Sequence, residues 1–205
     1  MTATVIAMFV GAFFLGSIPV GVIAGRAKGI DIRKVGSGNI GATNVARALG
    51  PKLGGLVFAL DLLKGLIPTL VARQLVQEPV WTLEPQIIWF LVGVMAIFGH
   101  CLSPFVGFKG GKGVATGLGV LFGTAPLVAA ICFGIFLFLM LCTRYVSLSS
   151  LVTALALPIL GYVLPDQARG LVPLYAFMAL FIFYRHRDNI RRLWNGTESK
   201  FGQKP

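Results

Sequence analysis

Charge is what this sequence has least of. Of its 205 residues only 12% are Asp, Glu, Lys or Arg, about half of the roughly 25% that a soluble domain carries. With 56% hydrophobic residues, that shortage excludes an ordinary soluble globule and equally a disordered chain. Acid is scarcer still, at 7 Asp and Glu against 18 Lys and Arg. Cys101, Cys132 and Cys142 form no CxxC or Cys/His spacing and sit in or beside apolar runs, so they read as packing residues rather than metal ligands or disulfide partners. No Lys or Arg precedes the first apolar run, which argues against a cleaved signal peptide and leaves that run as a helix of the mature protein. What remains is a polytopic, all-α integral membrane protein.

Crossing a hydrocarbon core of ~30 Å takes ~20 helical residues. Apolar stretches near 3–25, 53–76, 87–105, 113–125, 127–143, 148–165 and 171–184 predict seven transmembrane helices, the fourth and seventh short. One broken helix over 113–143 would make the count six; Pro126, following Gly123 and Thr124, favours a turn and so seven. The basic residues test the count independently. All 18 Lys and Arg except Lys64, Arg73 and Arg169 fall in the alternate connections 26–52, 106–112, 144–147 and the 185–205 tail. The opposite set, 77–86, the Pro126 turn and 166–170, holds Arg169 with Glu78, Glu84 and Asp166. Basic loops stay cytoplasmic, so the N-terminus is predicted outside and the C-terminus inside. The net charge of +11 then reports topology and not nucleic-acid binding. The 26 glycines suit close helix packing in lipid and backbone sites for anions.

The unusual residue clusters all fall on the basic side. Gly36-Ser37-Gly38-Asn39-Ile40-Gly41-Ala42-Thr43-Asn44-Val45-Ala46-Arg47 contains GxGxxG, but without the strand and βαβ unit of a dinucleotide site. It reads as a backbone nest in which successive N–H groups converge on an anion, with Arg47 able to pair bidentately with phosphate. A flexible polar loop is the alternative. Gly99-His100 leads through Ser103-Pro104-Phe105 to Phe108-Lys109-Gly110-Gly111-Lys112-Gly113-Val114-Ala115-Thr116. This resembles a fragment of a P-loop but fails GxxxxGK[ST], because Gly113 follows Lys112. Glycines entering an apolar helix still offer N–H groups and a positive dipole end; a topology anchor would need the lysines but not Gly110, Gly111 and Gly113. Arg144-Tyr145-Val146-Ser147-Leu148-Ser149-Ser150 joins two spans, and at least one serine is expected to cap the second. Arg185-His186-Arg187-Asp188-Asn189, with Arg191 and Arg192, has the form of an anchor, except that His186 and Asn189 share a helical face. Asp61 and Lys64 lie three residues apart inside an apolar run, where either an intrahelical ion pair or a part in shaping the site would justify their cost.

Taken together, GSGNIGATNVAR at 36–47, DLLKG at 61–65, GHCLSPFVGFKGGKGVAT at 99–116, RYVSLSS at 144–150 and RHRDNIRRL at 185–193 resemble the bacterial acyl-phosphate:glycerol-3-phosphate acyltransferases (PlsY type). Their order and spacing fit the whole chain as one domain, 1–205. The resemblance implies a seven-helix enzyme of the bacterial inner membrane with its site facing the cytoplasm. It would move a fatty acyl group from acyl phosphate to the 1-hydroxyl of glycerol 3-phosphate, giving lysophosphatidate and phosphate, without cofactor or metal. A functional link to a soluble acyl-phosphate synthase follows from that donor. The resemblance implies catalytic parts for His186, Asn189, Lys112, Arg47 and Ser37. It implies phosphate contacts from Gly38, Asn39, Thr43, Asn44, Gly110, Gly111, Gly113, Thr116 and a serine among Ser147, Ser149 and Ser150, which spacing does not separate. Asp61, Lys64 and His100 are expected to be structural or site-shaping.

The chemistry is consistent with two anion pockets, one for each substrate phosphate, bringing hydroxyl and acyl carbon together. An acyl phosphate is a mixed anhydride whose phosphate leaves readily, so no covalent enzyme intermediate is required. The sequence has no GxSxG elbow and no HX4D: Phe105 follows His100 by five places, and Arg191 follows His186. Its cytoplasmic general bases are few, namely Asp31, Asp188, Glu198 and the two histidines. Substrate assistance is therefore expected, the donor phosphate taking the hydroxyl proton; His186 as base is the rival, with binding its milder role. The competing class is a transporter of a phosphorylated anion, which would place its site near the bilayer midplane, where Asp61 and Lys64 are the one hint. A lipid-head-group phosphotransferase would need an aspartate cluster that seven scattered acids do not make.

Overall fold

The computed structural model describes residues 1–164 and 169–202; Asp166 and Lys204, counted above in the charge distribution, lie outside the described residues. Among the described residues the secondary structure is helical apart from one isolated bridge, Val80 to Leu83. The chain divides into two compact units, Met1–Thr124 and Ala125–Gln203.

The first unit contains α1 (Thr2–Ser17), α2 (Val20–Arg26), α3 (Ala42–Leu49), α4 (Pro51–Leu75), α5 (Pro85–Cys101) and α6 (Val114–Thr124), with 3-10 turns at Ile32–Lys34 and Pro104–Val106. Proline punctuates it. Pro51 and Pro85 open α4 and α5, where the missing N–H costs no helical bond. Pro19 divides the expected first helix into α1 and α2, because its ring and absent N–H interrupt the ladder. The helices meet through glycine. A Cβ on Gly65 would overlap the Thr116 carbonyl, and one on Gly119 the Leu62 carbonyl, so α4 and α6 touch backbone to backbone. Gly16 and Gly99 bring α1 and α5 together in the same way. Lipid gives no hydrophobic drive for helix association, so close van der Waals packing has to supply it. Val5, Ala12, Ala72, Val76, Ile88, Val92 and Ala96 fill one core cluster; Val22, Ile32, Ile40, Val45, Val57 and Val106 fill another.

The second unit contains α7 (Pro126–Thr143), α8 (Val146–Val163), α9 (Val172–Arg185) and α10 (Arg187–Trp194), with a 3-10 turn at Arg169–Leu171. Residues 113–143 are thus two helices, broken at Ala125 before Pro126. Helix α8 packs on both α7 and α9, and Gly161 makes room for the fully buried Tyr175 ring.

A helix stands at each of the seven expected segments, but among the described residues only Thr2–Arg26, Pro51–Leu75, Pro85–Val106, Pro126–Thr143 and Val146–Val163 are long and apolar enough to cross a membrane unaided. Helix α6 has 11 residues and α9 has 14, roughly 16 and 21 Å at 1.5 Å per residue against a core of ~30 Å. The connection 26–52 is also more ordered than a loop, since α3 occupies its second half.

Adding a methyl group separates the packed glycines from the open ones. Gly119→Ala is expected to cost about 1–3 kcal/mol through overpacking. At Gly134 on α7 nothing lies within 4 Å of the new Cβ, and Gly134→Ala should be neutral or stabilising by up to ~1 kcal/mol. Thermal unfolding of the two variants in detergent reads the difference in sign.

Candidate active site

The first motif folds around Asn44, whose side chain is 1% exposed. Its amide nitrogen donates to the carbonyls of Ile32 (3.1 Å) and Val35 (3.0 Å), and its oxygen accepts the Ser37 N–H at 3.0 Å. Gly38 N–H donates to the Val35 carbonyl at 3.1 Å, Asn39 N–H to the Ser37 hydroxyl at 3.5 Å and Gly41 N–H to the Asn39 side-chain oxygen at 3.1 Å. Gly36 and Gly38 adopt the positive φ, 58° and 69°, that this winding needs. The converging nest expected at 36–41 is therefore not formed. Asn and Ser side chains compete locally for backbone groups, and here they turn those four amides inward. Asn44 is a brace of the loop. What the motif offers an anion lies one step further on, where α3 begins at Ala42 with no side-chain cap: first-turn amides, the positive dipole end, Thr43, and half-buried Arg47 one turn later on the same face.

Just upstream, Arg33 grips Asp31 with two hydrogen bonds of 2.9 Å. The guanidinium hydrogen bond holds the Asp31 carboxyl down at about 2, which removes it from the short set of general bases.

The second motif also turns amides inward. Gly110 N–H donates to the Cys101 carbonyl and Gly111 N–H to the His100 carbonyl, each at 3.1 Å, satisfying carbonyls at the end of α5 that the helix leaves open. The glycines are required for approach, since a Cβ on Gly110 would overlap the His100 carbonyl and one on Gly111 the His100 Nε2. Gly110 and Gly111 thus shape the loop, their amides bonded to the chain. Gly113, at φ 79°, turns the chain into α6, whose first turn follows at once. Thr116 in that turn is fully buried, and its Oγ1 makes no hydrogen bond among the described residues. Lys112, the α6 amides and Thr116 are the groups here whose chemistry suits an anion. Val106, from the turn leading into this loop, packs in one cluster with Ile32, Ile40 and Val45, so the two glycine motifs share a core.

Beneath the second loop lies a buried polar cluster. Lys64 Nζ is 2.7 Å from Asp61 Oδ1 and 3.4 Å from His100 Nδ1, and it donates to the Ile18 carbonyl at 2.8 Å. The Ser103 hydroxyl donates to the Ser17 carbonyl at 2.6 Å. The α1–α2 break at Pro19 supplies both carbonyls. The intrahelical pair read from spacing thus extends to two other stretches of chain.

In the second unit the site residues gather on a carboxylate. Glu198 accepts from the Ser147 hydroxyl (2.6 Å), the Asn189 amide (2.6 Å) and Arg192 Nε (2.7 Å). Burial pushes its carboxyl up, but these hydrogen bonds and the Arg192 charge outweigh burial and hold it below the ordinary carboxylate value. Sequence reasoning weighed Glu198 only as a base. The signal for a clamp was its position as an acid among Arg191, Arg192 and Lys200. Ser149 and Ser150 donate back to the carbonyls of Tyr145 and Val146, each at 2.9 Å, so Ser147 alone of the three reaches outward. No serine caps α8, which starts at Val146 with Tyr145 before it; the Tyr145 N–H is met instead by the Thr143 hydroxyl at 3.2 Å. His186 sits between α9 and α10 with Nδ1 2.9 Å from the Ile182 carbonyl. A carbonyl only accepts, so Nδ1 carries a proton.

Set against known proteins, these features belong to a membrane acyltransferase class. Residues 6–196 match the Glycerol-3-phosphate acyltransferase family. The chain is 44% identical over 201 residues to a glycerol-3-phosphate acyltransferase of Geotalea daltonii, covering 98% of this chain and 99% of that one. It is 45% identical to the protein of the same description from Aquifex aeolicus, with 93% and 95% covered. A crystal structure of PlsY (YgiH), an integral membrane glycerol 3-phosphate acyltransferase, in its glycerol 3-phosphate form, superposes with a TM-score of 0.88 at 42% identity over 97% of this chain and 96% of that one. The lysophosphatidic acid form superposes at 0.86. The chain belongs to the glycerol-3-phosphate acyltransferase family of integral membrane proteins.

The Glu198 clamp carries a test with a definite sign. Because its pKa is depressed in the folded state, its contribution is present above the unfolded value, about 4.3, and is lost as pH falls through the lower folded one. Hydrogen exchange over 195–202 should therefore show protection at neutral pH that persists through the ordinary glutamate range and fails below it. At pH 7, Glu198→Gln should lose that protection and about tenfold in activity, the scale of one charge-assisted hydrogen bond.

Proposed function

We propose that this chain transfers a fatty acyl group from acyl phosphate to the 1-hydroxyl of glycerol 3-phosphate, releasing lysophosphatidate and inorganic phosphate. The observation that carries the reading is the near-complete match to a solved relative described in both its glycerol 3-phosphate and lysophosphatidic acid forms, the acceptor and product of this reaction. The acyl-phosphate donor rests on the motif resemblance and suits a chain without a nucleophile elbow.

Arg47 and Thr43 on α3 and Lys112 and Thr116 at α6 are assigned to phosphate, with Ser37, Gly38, Asn39 and Gly113 on the loops that present them. Asn44, Gly110, Gly111, Asp61 and Lys64 support those loops. Asn189 and Ser147, oriented by Glu198, and His186 are likewise assigned to the substrates. Positioning and charge stabilisation supply most of the acceleration. The hydroxyl oxygen bonds to the acyl carbon, the acyl–phosphate bond breaks, and the hydroxyl proton passes to the departing phosphate. Asp31 and Glu198 are both held ionised by tight hydrogen bonds, so they are poor proton acceptors. His186, with Nδ1 bonded to the Ile182 carbonyl, is assigned to binding and orienting the hydroxyl nucleophile.

The topology completing this reading has seven crossings, an outer N-terminus and an inner C-terminus, with the site facing the cytoplasm of a bacterial inner membrane. If α6 did not cross, the basic stretches 106–112 and 144–147 would lie on opposite sides. Their shared charge argues that it does. The transport reading loses its support, because Asp61 and Lys64 are engaged as a brace.

Incubation of the purified protein with palmitoyl phosphate and glycerol 3-phosphate is expected to yield lysophosphatidate, in the presence of EDTA as in its absence. Arg47→Ala and Lys112→Ala should each lower kcat/KM by at least about a hundredfold, the loss of a charge-assisted phosphate contact with its positioning; near-wild-type kinetics in either would refute the assignment. His186→Gln should retain measurable turnover. Abolished turnover with intact substrate binding would make His186 the base.

A further inference from the structure

Arg144 ends α7 in a strained conformation. Its φ is 61°, and its N–H closes the helix on the Met140 carbonyl at 2.9 Å. The left-handed residue after a helix is ordinarily glycine or asparagine, because a Cβ comes too close to the backbone there. An arginine in that place calls for something its side chain does, and the contacts supply it. Arg144 Nε donates to the Phe201 carbonyl at 3.2 Å, and the Phe201 N–H donates to the Arg144 carbonyl at 2.6 Å. Lys200 Nζ stands 5.5 Å from the centre of the Tyr145 ring, within cation–π range. The Ser147 hydroxyl donates to Glu198 at 2.6 Å. Antiparallel and in step, Arg144 meets Phe201, Tyr145 meets Lys200 and Ser147 meets Glu198. The tail is thus laid along the α7–α8 junction in one register, with the guanidinium closing the end opposite Glu198. A slip of one residue moves an extended chain by about 3.3 Å, enough to carry the Glu198 carboxylate out of hydrogen-bond reach of Ser147 and Asn189.

We propose that Arg144 is a positioning residue for the reaction: through Phe201 it fixes the register of the tail, and that register places the carboxylate that orients Ser147 and Asn189. This rests on the assignment of Ser147 and Asn189 to the substrates made above. A topology anchor would need only the charge of Arg144. The register needs its Nε–H as well, which lysine does not have.

The position allows a variant that removes the side chain without harming the fold, since glycine adopts φ 61° more readily than arginine does. Arg144→Gly, in the full chain in detergent, is expected to keep or raise the thermal midpoint. Hydrogen exchange over 198–202 should nevertheless quicken, and kcat/KM should fall, each by about fivefold, the scale of one hydrogen bond. Arg144→Lys should fall as far. A chain ending at Ser199 lacks the Phe201 contact and should lose at least as much activity. Adding Arg144→Gly to it should bring no further loss, as expected of two changes to one contact. Unchanged exchange or activity in Arg144→Gly, full activity in Arg144→Lys, or additive losses in the combined variant would each overturn the proposal. So would a lowered midpoint in Arg144→Gly, which would make the residue a part of the fold alone. Absence of acyl transfer by the wild-type protein would instead sink the acyltransferase reading, and exchange in Arg144→Gly would still decide whether Arg144 seats the tail.

Discussion

The first unit depends on the buried ammonium of Lys64. An unpaired charge in such a place is destabilising by several kcal/mol, so the chain must bring partners to it. Asp61 comes from the same helix, the Ile18 carbonyl from the α1–α2 break, and His100 from the end of α5. None of these three could move without uncovering the charge. The Pro19 break thus does more than bend a helix: it frees the Ile18 carbonyl for Lys64 and the Ser17 carbonyl for Ser103. Those two contacts hold the end of α5 at the point where the second glycine motif leaves it.

That fixed departure explains how the glycines are used. The simplest expectation for a glycine-rich anion loop is that its amides face the ligand. In both motifs the amides face the chain instead, bonded to Asn44, Asn39, Val35, His100 and Cys101. The glycines permit positive φ at Gly36, Gly38 and Gly113 and close approach at Gly110 and Gly111. The groups proposed to hold an anion then fall at helix starts, α3 and α6, where first-turn amides and the dipole come without further design.

Much of this was legible in the sequence and some was not, for physical reasons. Membrane segments announce themselves through apolar runs, and the turn read at Pro126 is where α7 starts. The motifs were visible as departures from apolar background, and the family resemblance drew them together. What composition cannot convey is the direction of a hydrogen bond. Gly38 and Gly110 look alike whether their amides serve a ligand or the loop, and only the carbonyls nearby decide. Glu198 shows in sequence only as an acid among basic residues; its clamp partners Ser147 and Asn189 are 51 and 9 residues away. Ser149 and Ser150 looked equivalent to Ser147 until the helix start at Val146 set their hydroxyls against carbonyls one turn back. The break at Pro19 was not foreseen, because an apolar run that continues through a proline gives no hint of how sharply the ladder is cut.

The shortness of α6 joins the membrane constraint to the site. At 11 residues it is about half the length that ~30 Å of hydrocarbon demands, so the non-helical stretch before it lies at the lipid boundary or below it. Irregular backbone survives there only if its polar groups are satisfied by protein, which is what the inward amides of Gly110 and Gly111 achieve. A full-length helix would have carried its N-terminus out into water, where high dielectric weakens the dipole and the Lys112 charge alike. A short one, reached by a self-satisfied loop and held to α4 through Gly65 and Gly119, presents the same charges in a less polar setting where they act more strongly on phosphate. The reaction proposed above would require that placement as well, since the acyl chain of its donor belongs to the lipid and the phosphates of donor and acceptor to water.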